Sequence, residues 1–454
     1  MGFGELKDFL GDRLTTSKAI RLEHSHDESW HVPKNIPDAI TYPKTSEEVS
    51  KIICFANKNS IPVIPFGTGT ALEGHTHALK GGITINSSNM NQVVELNKAD
   101  MDCRVQAGIT RKELNNYIKD TGLFFPVDPG ADASLGGMCA TRASGTNTVR
   151  YGTIREQVLG LEVVMPDGKI INTGTRARKS AAGYDLTHLM LGSEGTLGFI
   201  TEINLKLHGR PEAISAGVCT FNDLKGAVDT VIESIQIGLP LSRIELLDEV
   251  QISAINQYKK TSHEIAPTLF VEIQGTPLGV KEQSEIFKEI ANANNALKYQ
   301  WSHRSEEIET LWSARHDAYY AALSLAPGKK AFTTDICVPI SKLANCILET
   351  KKDIQNSSII APIVGHVGDG NFHLIMLLDP DNKEEVSEAK LLNDKLVNRA
   401  IRMEGTSTGE HGIGIGKKEY LKIEQGLSVE VMSQIKKAID PKNIMNPGKI
   451  FEVN

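Results

Sequence analysis

The sequence predicts an α+β protein of two or three domains, and three features of the chain point to it. The 454 residues are enough for several substantial cores. The first half combines short apolar strand patterns with glycine-rich turns, whereas from Glu212 onward strand patterns alternate with amphipathic helices. Such a mixture favours an antiparallel sheet covered by helices, and the C-terminal end is again helical in pattern.

The composition is that of an ordinary globular protein and excludes some classes of function. Hydrophobic residues make up 40% of the chain, charged residues make up 23%, and the net charge is -7. A general nucleic-acid-binding protein would carry a basic face, so we expect no nucleic-acid partner. The six cysteines are scattered without a Cys-x-x-Cys pair, which favours reduced thiols over disulfides.

The location is predicted from the N-terminal residues and from the lengths of apolar runs. No apolar run reaches the roughly 18–20 residues of a membrane-spanning helix, so no transmembrane segment is expected. Residues 1–10 have neither the apolar centre of a signal peptide nor an Arg- and Ser-rich transit pattern. We therefore expect a cytoplasmic protein, at most in peripheral contact with the inner membrane.

A glycine-rich turn follows a buried strand early in the chain. Residues 46–56 predict an amphipathic helix capped by Thr45 or Ser46, and residues 61–66 predict a strand. The strand runs into Gly67-Thr-Gly-Thr70, where backbone N–H groups are available to a pyrophosphate. The turn is neither a dinucleotide-binding Gly-x-Gly-x-x-Gly nor a P-loop with its lysine, which disfavours a nicotinamide enzyme or an NTPase.

A long stretch of small residues, 127–152, favours a backbone surface against which a ligand lies. Strands are predicted at 82–86 and 104–107 and a helix at 111–119, all before this stretch. After it, strand patterns at 161–165 and 170–172 flank a Pro-Asp-Gly turn, which predicts a hairpin. Residues 191–200 open a further strand.

Two histidines, His366 and His373, flank the turn-forming run Gly368-Asp-Gly370. Residues seven apart face opposite sides of an unbroken strand, but the glycines permit a reversal that returns both rings to one side. Two imidazoles and a later carboxylate, Glu410, are ligands that a divalent metal accepts with positions left open. Two packed core histidines are an equally frequent explanation of the pair alone. The Glu410-His411 pair between glycines shifts the balance toward metal.

Arg315 lies on a helix predicted at 305–323, where it is able to clamp a carboxylate with two hydrogen bonds. A solvated helix face is the more frequent explanation from the sequence alone, and we expect His316 to pack. Further helices are predicted at 223–237, 279–292, 340–355 and 428–439. Further strands are predicted at 216–221, 242–246, 268–273 and 332–338.

Several motifs together resemble a known family. They are Pro65-Phe-Gly-Thr-Gly-Thr70, Asp128-Pro-Gly130, Ser134-Leu-Gly-Gly137, Tyr151-Gly152 and Gly192-Ser-Glu-Gly-Thr-Leu-Gly198. In this order they resemble the FAD domain of p-cresol methylhydroxylase-type flavoproteins, within which the chain is similar to the FAD-linked D-2-hydroxy-acid dehydrogenases of the cytochrome-type, D-lactate-oxidising branch. The resemblance runs from about residue 38 to the C-terminus. It implies a FAD-binding domain of two subdomains and an α+β cap domain with an antiparallel sheet.

The resemblance implies domain limits and a flavin site. The limits are a leader at 1–37, the FAD-binding domain at 38–210, the cap at 211–425, and a helical segment at 426–454 that returns to the first domain. Gly67, Thr68, Gly69 and Thr70 are expected on the pyrophosphate. The other flavin-site residues are Pro65, Pro129, Gly130, Ser134, Gly136, Gly137, Ser144, Gly145, Gly152, Glu194, Gly195 and Asn446. Some relatives tether FAD through a histidine at the position of Thr70, and His75 lies beyond it, so we expect non-covalent FAD.

The resemblance also implies a metal site and three catalytic residues. The expected ion is Zn²⁺ or Mn²⁺, and its ligands are His366, His373 and Glu410. The expected catalytic residues are Arg315 on the substrate carboxylate, His411 as the base that takes the hydroxyl proton, and Asn371 as a hydrogen-bond partner of the substrate.

The expected substrate is a small D-2-hydroxy acid, of which D-lactate fits best. The 2-hydroxyglutarate branch has a lysine just before the aspartate that corresponds to Asp335, whereas this chain has Thr333 and Thr334. A second carboxylate would lack a partner, and an unpaired buried charge is costly. D-2-hydroxyglutarate and glycolate dehydrogenases are the alternatives within the family. The expected electron acceptor is external, namely a quinone, a cytochrome or an electron-transfer flavoprotein.

Two functions of other classes remain open at this point. A metal-dependent hydrolase would use the same ion to activate water without redox chemistry. A non-catalytic flavin-binding protein would leave Arg315 and His411 without a role. The basic run at 176–179 is expected to be a solvated loop, with docking of an acidic electron acceptor as the weaker alternative.

Overall fold

The structure is a computed structural model that describes residues 2–453, and its chain divides into two compact units. Unit 1 comprises the residues up to Ser144, Gly152–Arg210 and the residues from Glu410 onward. Unit 2 comprises Gly145–Tyr151 and Pro211–Gly409. The second segment of unit 1 thus ends at residue 210, and its C-terminal segment begins at residue 410, whereas the sequence placed that return at residue 426.

The strands of residues 2–453 are two to nine residues long. In chain order they are β1 Leu14–Thr15, β2 Ala39–Thr41, β3 Val63–Phe66, β4 Ile83–Asn86, β5 Val93–Asn97, β6 Asp102–Gln106, β7 Leu123–Phe124, β8 Val158–Val164, β9 Ile170–Asn172, β10 Phe199–Lys206, β11 His208–Gly209, β12 Ala213–Phe221, β13 Leu241–Leu247, β14 Thr268–Gly275, β15 Ala296–Ser302, β16 Lys330–Thr333, β17 Ile336–Cys337, β18 Ile363–Gly365 and β19 Asn371–Leu378.

The three longest α-helices of residues 2–453, α15, α11 and α14, lie in the second half of the chain. In chain order the α-helices are α1 Gly4–Leu10, α2 Lys18–Glu23, α3 Ser46–Asn59, α4 Arg111–Tyr117, α5 Leu135–Thr141, α6 Thr148–Tyr151, α7 Ile154–Gln157, α8 Leu186–Met190, α9 Leu224–Gln236, α10 Glu249–Lys259, α11 Pro277–Ala293, α12 Ser305–His316, α13 Ala318–Ser324, α14 Ile340–Gln355, α15 Lys383–Arg402, α16 Lys418–Gln425 and α17 Ser428–Ile439.

Unit 1 contains two main sheets. One has the order β1-β2-β4-β3, with β2, β4 and β3 parallel, and the other is antiparallel with the order β5-β6-β10-β8-β9. The predicted hairpin is confirmed, because β8 pairs antiparallel with β9 and Glu162 lies opposite Asn172. The parallel strand β3 ends where the glycine-rich turn begins, which places that turn at the edge of the first sheet.

The first helices of unit 1 pack on a common core. Thr45 caps α3 by accepting a hydrogen bond from the backbone N–H of Glu48, as the sequence predicts. Leu6 and Leu10 of α1 are buried in the same cluster as the apolar face of α3. The N-terminal residues are therefore part of the core of unit 1.

Unit 2 is built on one large antiparallel sheet, as predicted. Its order is β15-β12-β14-β13-β18-β19-β16, with β17 paired to β19. Helices α10, α12 and α13 pack on strand residues in a core that includes Ile252, Phe270, Trp312 and Leu377. The strand β13 lies between β14 and β18, so hydrogen bonds to both neighbours hold its backbone in place.

Several elements of unit 2 differ from the prediction. The strand expected at 332–338 is split into β16 and β17, because Thr334 and Asp335 between them hydrogen-bond to side chains and backbone of unit 2. The helix expected at 305–323 is split at Asp317 into α12 and α13. The 20-residue helix α15 was not predicted, although its buried residues recur with helical spacing.

Backbone hydrogen bonds and a buried lysine connect the C-terminal segment to the rest of unit 1. Asn446 donates its backbone N–H to Val63 of β3, and Val63 donates to Ile444. Lys436 of α17 is 2% exposed, pairs with Asp440, and donates to the carbonyl oxygens of Thr196 and Met445. Burial lowers the pKa of Lys436, and the carboxylate of Asp440 opposes that shift.

All six cysteines are free thiols, as the sequence predicts. Within residues 2–453, every helix is too short or too polar to cross a bilayer.

We expect Lys436→Met to destabilise the protein strongly. The variant leaves the buried carboxylate of Asp440 without its cation and two buried carbonyl groups without a donor, a loss that typically costs about 3–5 kcal/mol. The free energy of unfolding in urea is the measurement. Lys437→Met, at the neighbouring exposed position, is the control. Equal unfolding free energies for the two variants would contradict this role of Lys436.

Candidate active site

A tight reversal separates the two histidines of unit 2. Strands β18 and β19 pair antiparallel with Val364 opposite His373, and a 3-10 turn lies between them at Val367–Asp369. Gly370 ends the turn at φ 79°, and a Cβ there would lie 2.1 Å from the carbonyl oxygen of Val338. Only glycine fits such a position, so the predicted reversal depends on this residue.

The reversal brings the two imidazoles together. The ring centroids of His366 and His373 are 5.6 Å apart and the rings are nearly perpendicular. The Nδ1 atom of His366 is 2.8 Å from Oε1 of Glu245, and the Nδ1 atom of His373 is 2.8 Å from the carbonyl oxygen of Thr334. An acceptor at each Nδ1 favours a proton on that nitrogen, and in a neutral ring Nε2 then carries the lone pair. Metal-binding histidines have this arrangement.

Glu245 of β13 is shared between His366 and Arg315. Its second oxygen, Oε2, accepts hydrogen bonds from Nε and Nη2 of Arg315 at 3.0 and 2.6 Å. The side chain of Glu245 is 1% exposed. Burial alone would raise its pKa, but His366 and Arg315 outweigh burial and the pKa is lowered from its ordinary value. The lowered pKa favours the ionised carboxylate, and each of its two oxygens accepts at least one hydrogen bond.

Arg315 is not part of a solvated helix face. Its side chain is 11% exposed, and α12 directs it toward Glu245 on the sheet. Both hydrogen bonds to Glu245 come from the Nε–Nη2 side of the guanidinium. The edge formed by Nη1 and Nη2 has the geometry for a second carboxylate.

Asp335 organises the amide of Asn371. The Nδ2 atom of Asn371 donates to Oδ1 of Asp335 at 2.9 Å and to the carbonyl oxygen of Ile336 at 2.6 Å. The other oxygen of Asp335 accepts from the hydroxyl of Thr408 at 2.8 Å. Because the amide nitrogen of Asn371 donates to two protein acceptors, its side-chain carbonyl oxygen is the atom that could accept a hydrogen bond from a ligand.

In unit 1 the glycine-rich segments expected to bind flavin lie against one another. A Cβ on Gly67 would be 2.2 Å from the hydroxyl of Ser134, and a Cβ on Gly195 would be 2.6 Å from the ring of Pro65. Ser134 caps α5 by accepting from the N–H of Gly137. Small residues thus bring three distant segments of unit 1 together, and exposed backbone of this kind suits a pyrophosphate and a flat ring system.

Other residues predicted to bind flavin are found in several different surroundings. Thr68 and Thr70 have hydroxyls 3.2 Å apart, the surroundings of Gly130 are open, and Ser144 donates to the carboxylate of Glu410 at 2.7 Å. Gly145 belongs to unit 2, where its N–H donates to the hydroxyl of Thr148, whereas Gly152 belongs to unit 1. The structure does not group all of these residues within one unit.

Glu194 and Asn446 hold protein segments of unit 1 in place. The carboxylate of Glu194 accepts the N–H groups of Ile413 and Gly414 at 2.7 and 2.8 Å, and it lies 3.2 Å from Nε2 of His75. Asn446 donates to the carbonyl oxygens of His75 and Glu194. Burial alone would lower the pKa of His75, but Glu194 outweighs it and the pKa is raised. Glu194 thus anchors the loop after His411, whereas Asn446 connects the C-terminal segment to the backbone at residues 75 and 194.

Glu73 is a buried carboxylate beside His411. Its Oε1 is 3.2 Å from Nζ of Lys417 and 3.9 Å from Nδ1 of His411, and its Oε2 is 3.6 Å from the ring of His31. Burial alone would raise the pKa of Glu73, but the ammonium of Lys417 together with His31 and His411 outweighs burial and lowers the pKa to about 2. A fixed negative charge therefore faces the Nδ1 side of His411.

Sequence reasoning missed Glu73 and Glu245. Each stands in a segment that packs in the interior, Glu73 after the glycine-rich turn and Glu245 in the apolar strand β13. An acidic residue in an otherwise apolar strand was the available signal for Glu245, because such a charge needs a partner. The sequence alone did not reveal which partners these carboxylates have.

Two family descriptions match the chain. Residues 37–174 match the FAD binding domain, and residues 210–450 match the C-terminal domain of FAD linked oxidases. The first match shows a FAD-binding domain, and the two matches disfavour the metal-dependent hydrolase that the sequence left open.

Two curated relatives are similar over nearly the whole chain. A probable mitochondrial D-lactate dehydrogenase of Danio rerio is 49% identical, over 97% of this chain and 89% of the relative. A mitochondrial cytochrome-type D-lactate dehydrogenase of Arabidopsis thaliana is 47% identical, over 98% of this chain and 79% of the relative. Both names place those proteins in mitochondria, so the cytoplasmic location expected from the sequence is wrong. The absence of a signal in residues 1–10 was not sufficient ground for it.

The predicted fold is confirmed by a solved structure. Substrate-bound p-cresol methylhydroxylase superposes with a TM-score of 0.81, at 15% identity, over 99% of this chain and 96% of that one. With nearly half of its residues identical to those of the two relatives, and with both domain types present, the chain belongs to the FAD-linked oxidase family and is a FAD-dependent oxidoreductase.

Proposed function

We propose that this protein is a FAD- and metal-dependent dehydrogenase that oxidises D-lactate to pyruvate and passes the electrons to an external acceptor. The observation that carries the proposal is the pair of imidazoles in unit 2, both with Nδ1 bound to an acceptor, next to the partly engaged Arg315. The names of the two relatives supply the substrate. They also support a mitochondrial location.

The metal ligands of the proposal are His366, His373 and, by the family resemblance, Glu410. The two histidines fit because each keeps a lone pair on Nε2 while its Nδ1 is bound to Glu245 or to Thr334. Zn²⁺ and Mn²⁺ both accept imidazole and carboxylate ligands. When bound, such an ion supplies Lewis acidity that makes the substrate hydroxyl easier to deprotonate.

The flavin of the proposal is bound non-covalently. Thr70 stands where some relatives carry the tethering histidine, and His75 is buried against Glu194. When bound, FAD supplies the oxidant that accepts the hydride from the α-carbon of the acid. Acid precipitation is expected to release all yellow colour into the supernatant, and a yellow pellet would contradict non-covalent binding.

The protein's own groups bind the acid and move its proton. Arg315 offers the Nη1–Nη2 edge of its guanidinium to the carboxylate, and Asn371, whose amide nitrogen is held by Asp335, is a further hydrogen-bond partner of the substrate. His411 takes the hydroxyl proton on Nε2, because the charge of Glu73 lies on the Nδ1 side of the ring. The α-carbon loses a hydride and the oxygen loses a proton, so the product is the 2-oxo acid.

The residues next to Asp335 favour a monocarboxylic acid. Thr334 is 1% exposed, and its hydroxyl accepts from the backbone of Leu374 while its carbonyl accepts from His373. Neither Thr333 nor Thr334 carries a positive charge for a second carboxylate. A substrate with a short apolar tail therefore fits better than 2-hydroxyglutarate.

We expect D-lactate to bleach the visible flavin band rapidly in the absence of oxygen. L-lactate and D-2-hydroxyglutarate are expected to react much more slowly, and removal of metal with a chelator is expected to suppress the reaction until Zn²⁺ or Mn²⁺ is restored. Stopped-flow absorbance is the measurement. If the flavin stays oxidised with every D-2-hydroxy acid, the proposed function is wrong. If flavin reduction is undiminished after metal removal, the proposed metal dependence is wrong and the proposed dehydrogenase activity stands.

His411→Ala is expected to keep flavin and metal but to slow flavin reduction by about 10²–10⁴-fold, because a positioned base contributes about that much. The rate of anaerobic reduction by D-lactate is the measurement. His208→Ala is the matched control, since His208 is a partly buried histidine of the same unit that bonds to Gln157. Wild-type reduction by the His411 variant would remove this residue from the mechanism.

A further inference from the structure

We propose that Glu245 is a positioning residue that holds the metal-binding His366 and the carboxylate-binding Arg315 in one arrangement. The inference rests on the proposed function for the roles of those two residues. The relatives' names and the sequence motifs assign no part to Glu245. Its place in unit 2 is the ground for the proposal.

The location of Glu245 gives it little freedom. It lies on β13, between β14 and β18, and its residue is paired across the sheet with Phe270. The side chain is 1% exposed. A carboxylate anchored to a central strand is a rigid reference point for groups that reach it from a turn or from a helix.

The two partners of Glu245 come from different elements. His366 stands between β18 and the 3-10 turn, and Arg315 lies in the last turn of α12. The distance from Nδ1 of His366 to Oε1 is 2.8 Å, and the distances from Nε and Nη2 of Arg315 to Oε2 are 3.0 and 2.6 Å. Each oxygen therefore serves one partner.

Only a carboxylate satisfies both partners at once. An ionised glutamate has two acceptor oxygens and no donor, whereas glutamine has one acceptor and one amide that donates. A glutamine at 245 would turn its NH₂ group toward either the Nδ1–H of His366 or the guanidinium of Arg315. One of the two side chains must then move.

The consequence for each partner is specific. If His366 loses its acceptor, its ring can rotate or change tautomer, and Nε2 no longer points in a fixed direction with a fixed lone pair. If Arg315 loses its acceptor, the Nη1–Nη2 edge is no longer held for the substrate. Metal affinity reports the first loss and the KM for D-lactate reports the second.

The chain offers a matched control in Glu272. This glutamate lies on the neighbouring strand β14, is 3% exposed, and is 3.4 Å from Nη1 of Arg243. It also accepts from Ser242 and Gln274. Glu272 is thus a second buried carboxylate paired with an arginine in the same sheet, without a contact to His366, His373 or Arg315 among its hydrogen bonds.

The experiment compares Glu245→Gln with Glu272→Gln in the full-length, FAD-loaded protein. Zn²⁺ affinity is measured by competition with a chromophoric chelator, and KM and kcat are measured with D-lactate. We expect Glu245→Gln to weaken Zn²⁺ binding by about 10–100-fold. We expect its KM to rise by about tenfold, as for one weakened charged hydrogen bond. Flavin content and flavin spectrum are expected to stay at the wild-type values.

Glu272→Gln is expected to change Zn²⁺ affinity and KM by less than about threefold, because it shares no partner with the metal-binding histidines. Equal Zn²⁺ affinities and equal KM values for the two variants would overturn the proposal. If Glu245→Gln does not fold, Glu245→Asp keeps the charge on a side chain that is one carbon shorter. Wild-type affinity and KM in Glu245→Asp would also overturn it.

The outcome is separable from that of the proposed function. The Zn²⁺ titration needs no turnover, so it judges Glu245 even if no hydroxy acid reduces the flavin. A wild-type protein that binds neither Zn²⁺ nor Mn²⁺ overturns the inference, whatever its activity. A wild-type protein that reduces its flavin with D-lactate, beside a Glu245→Gln variant that matches the control, overturns the inference and leaves the function intact.

Discussion

One buried carboxylate of unit 2 is bound from two sides. Glu245 lies on a central strand, an imidazole and a guanidinium both reach it, and together they lower its pKa against the effect of burial. A buried charge that loses a partner is strongly destabilising, so the three side chains form one unit. The reversal at Gly370 then places His373 beside His366, and Thr334 fixes its ring through a carbonyl oxygen. The strand, the helix and the turn thus fix the groups that we propose for binding the acid.

In unit 1, backbone rather than side chains forms the surface that we propose for FAD. Gly67, Ser134 and Gly195 bring separate segments into close contact, which any larger side chain would prevent. The charged residues of the unit do structural work around that surface. Glu194 holds the loop after His411, and Lys436 with Asp440 fastens the C-terminal segment. Both the Glu194–His75 pair and the Lys436–Asp440 pair are buried, so loss of one partner would leave an unpaired charge in the interior.

Much of the fold was readable in the sequence, because local signals and tertiary structure agree there. Thr45 caps α3 and the turn at 166–168 closes the β8–β9 hairpin, both from short-range chemistry. The prediction failed where distant contacts decide: Thr334 and Asp335 interrupt a strand pattern to bind residues far along the chain. Residue type and motif were enough to propose His366, His373 and Arg315 as site residues. Glu245 and Glu73 could not be proposed in this way, because their contacts depend on partners that are distant in the sequence.

The central claim is that His366 and His373 bind a divalent metal through Nε2 and that this metal meets the oxygens of the hydroxy acid. Zinc K-edge X-ray absorption of the metal-loaded protein, recorded with and without D-lactate and without oxygen, tests it most directly. The account predicts two imidazole ligands, no sulfur ligand, and an oxygen shell that changes when D-lactate is added. A spectrum without imidazole scattering, or one that D-lactate leaves unchanged, would contradict it.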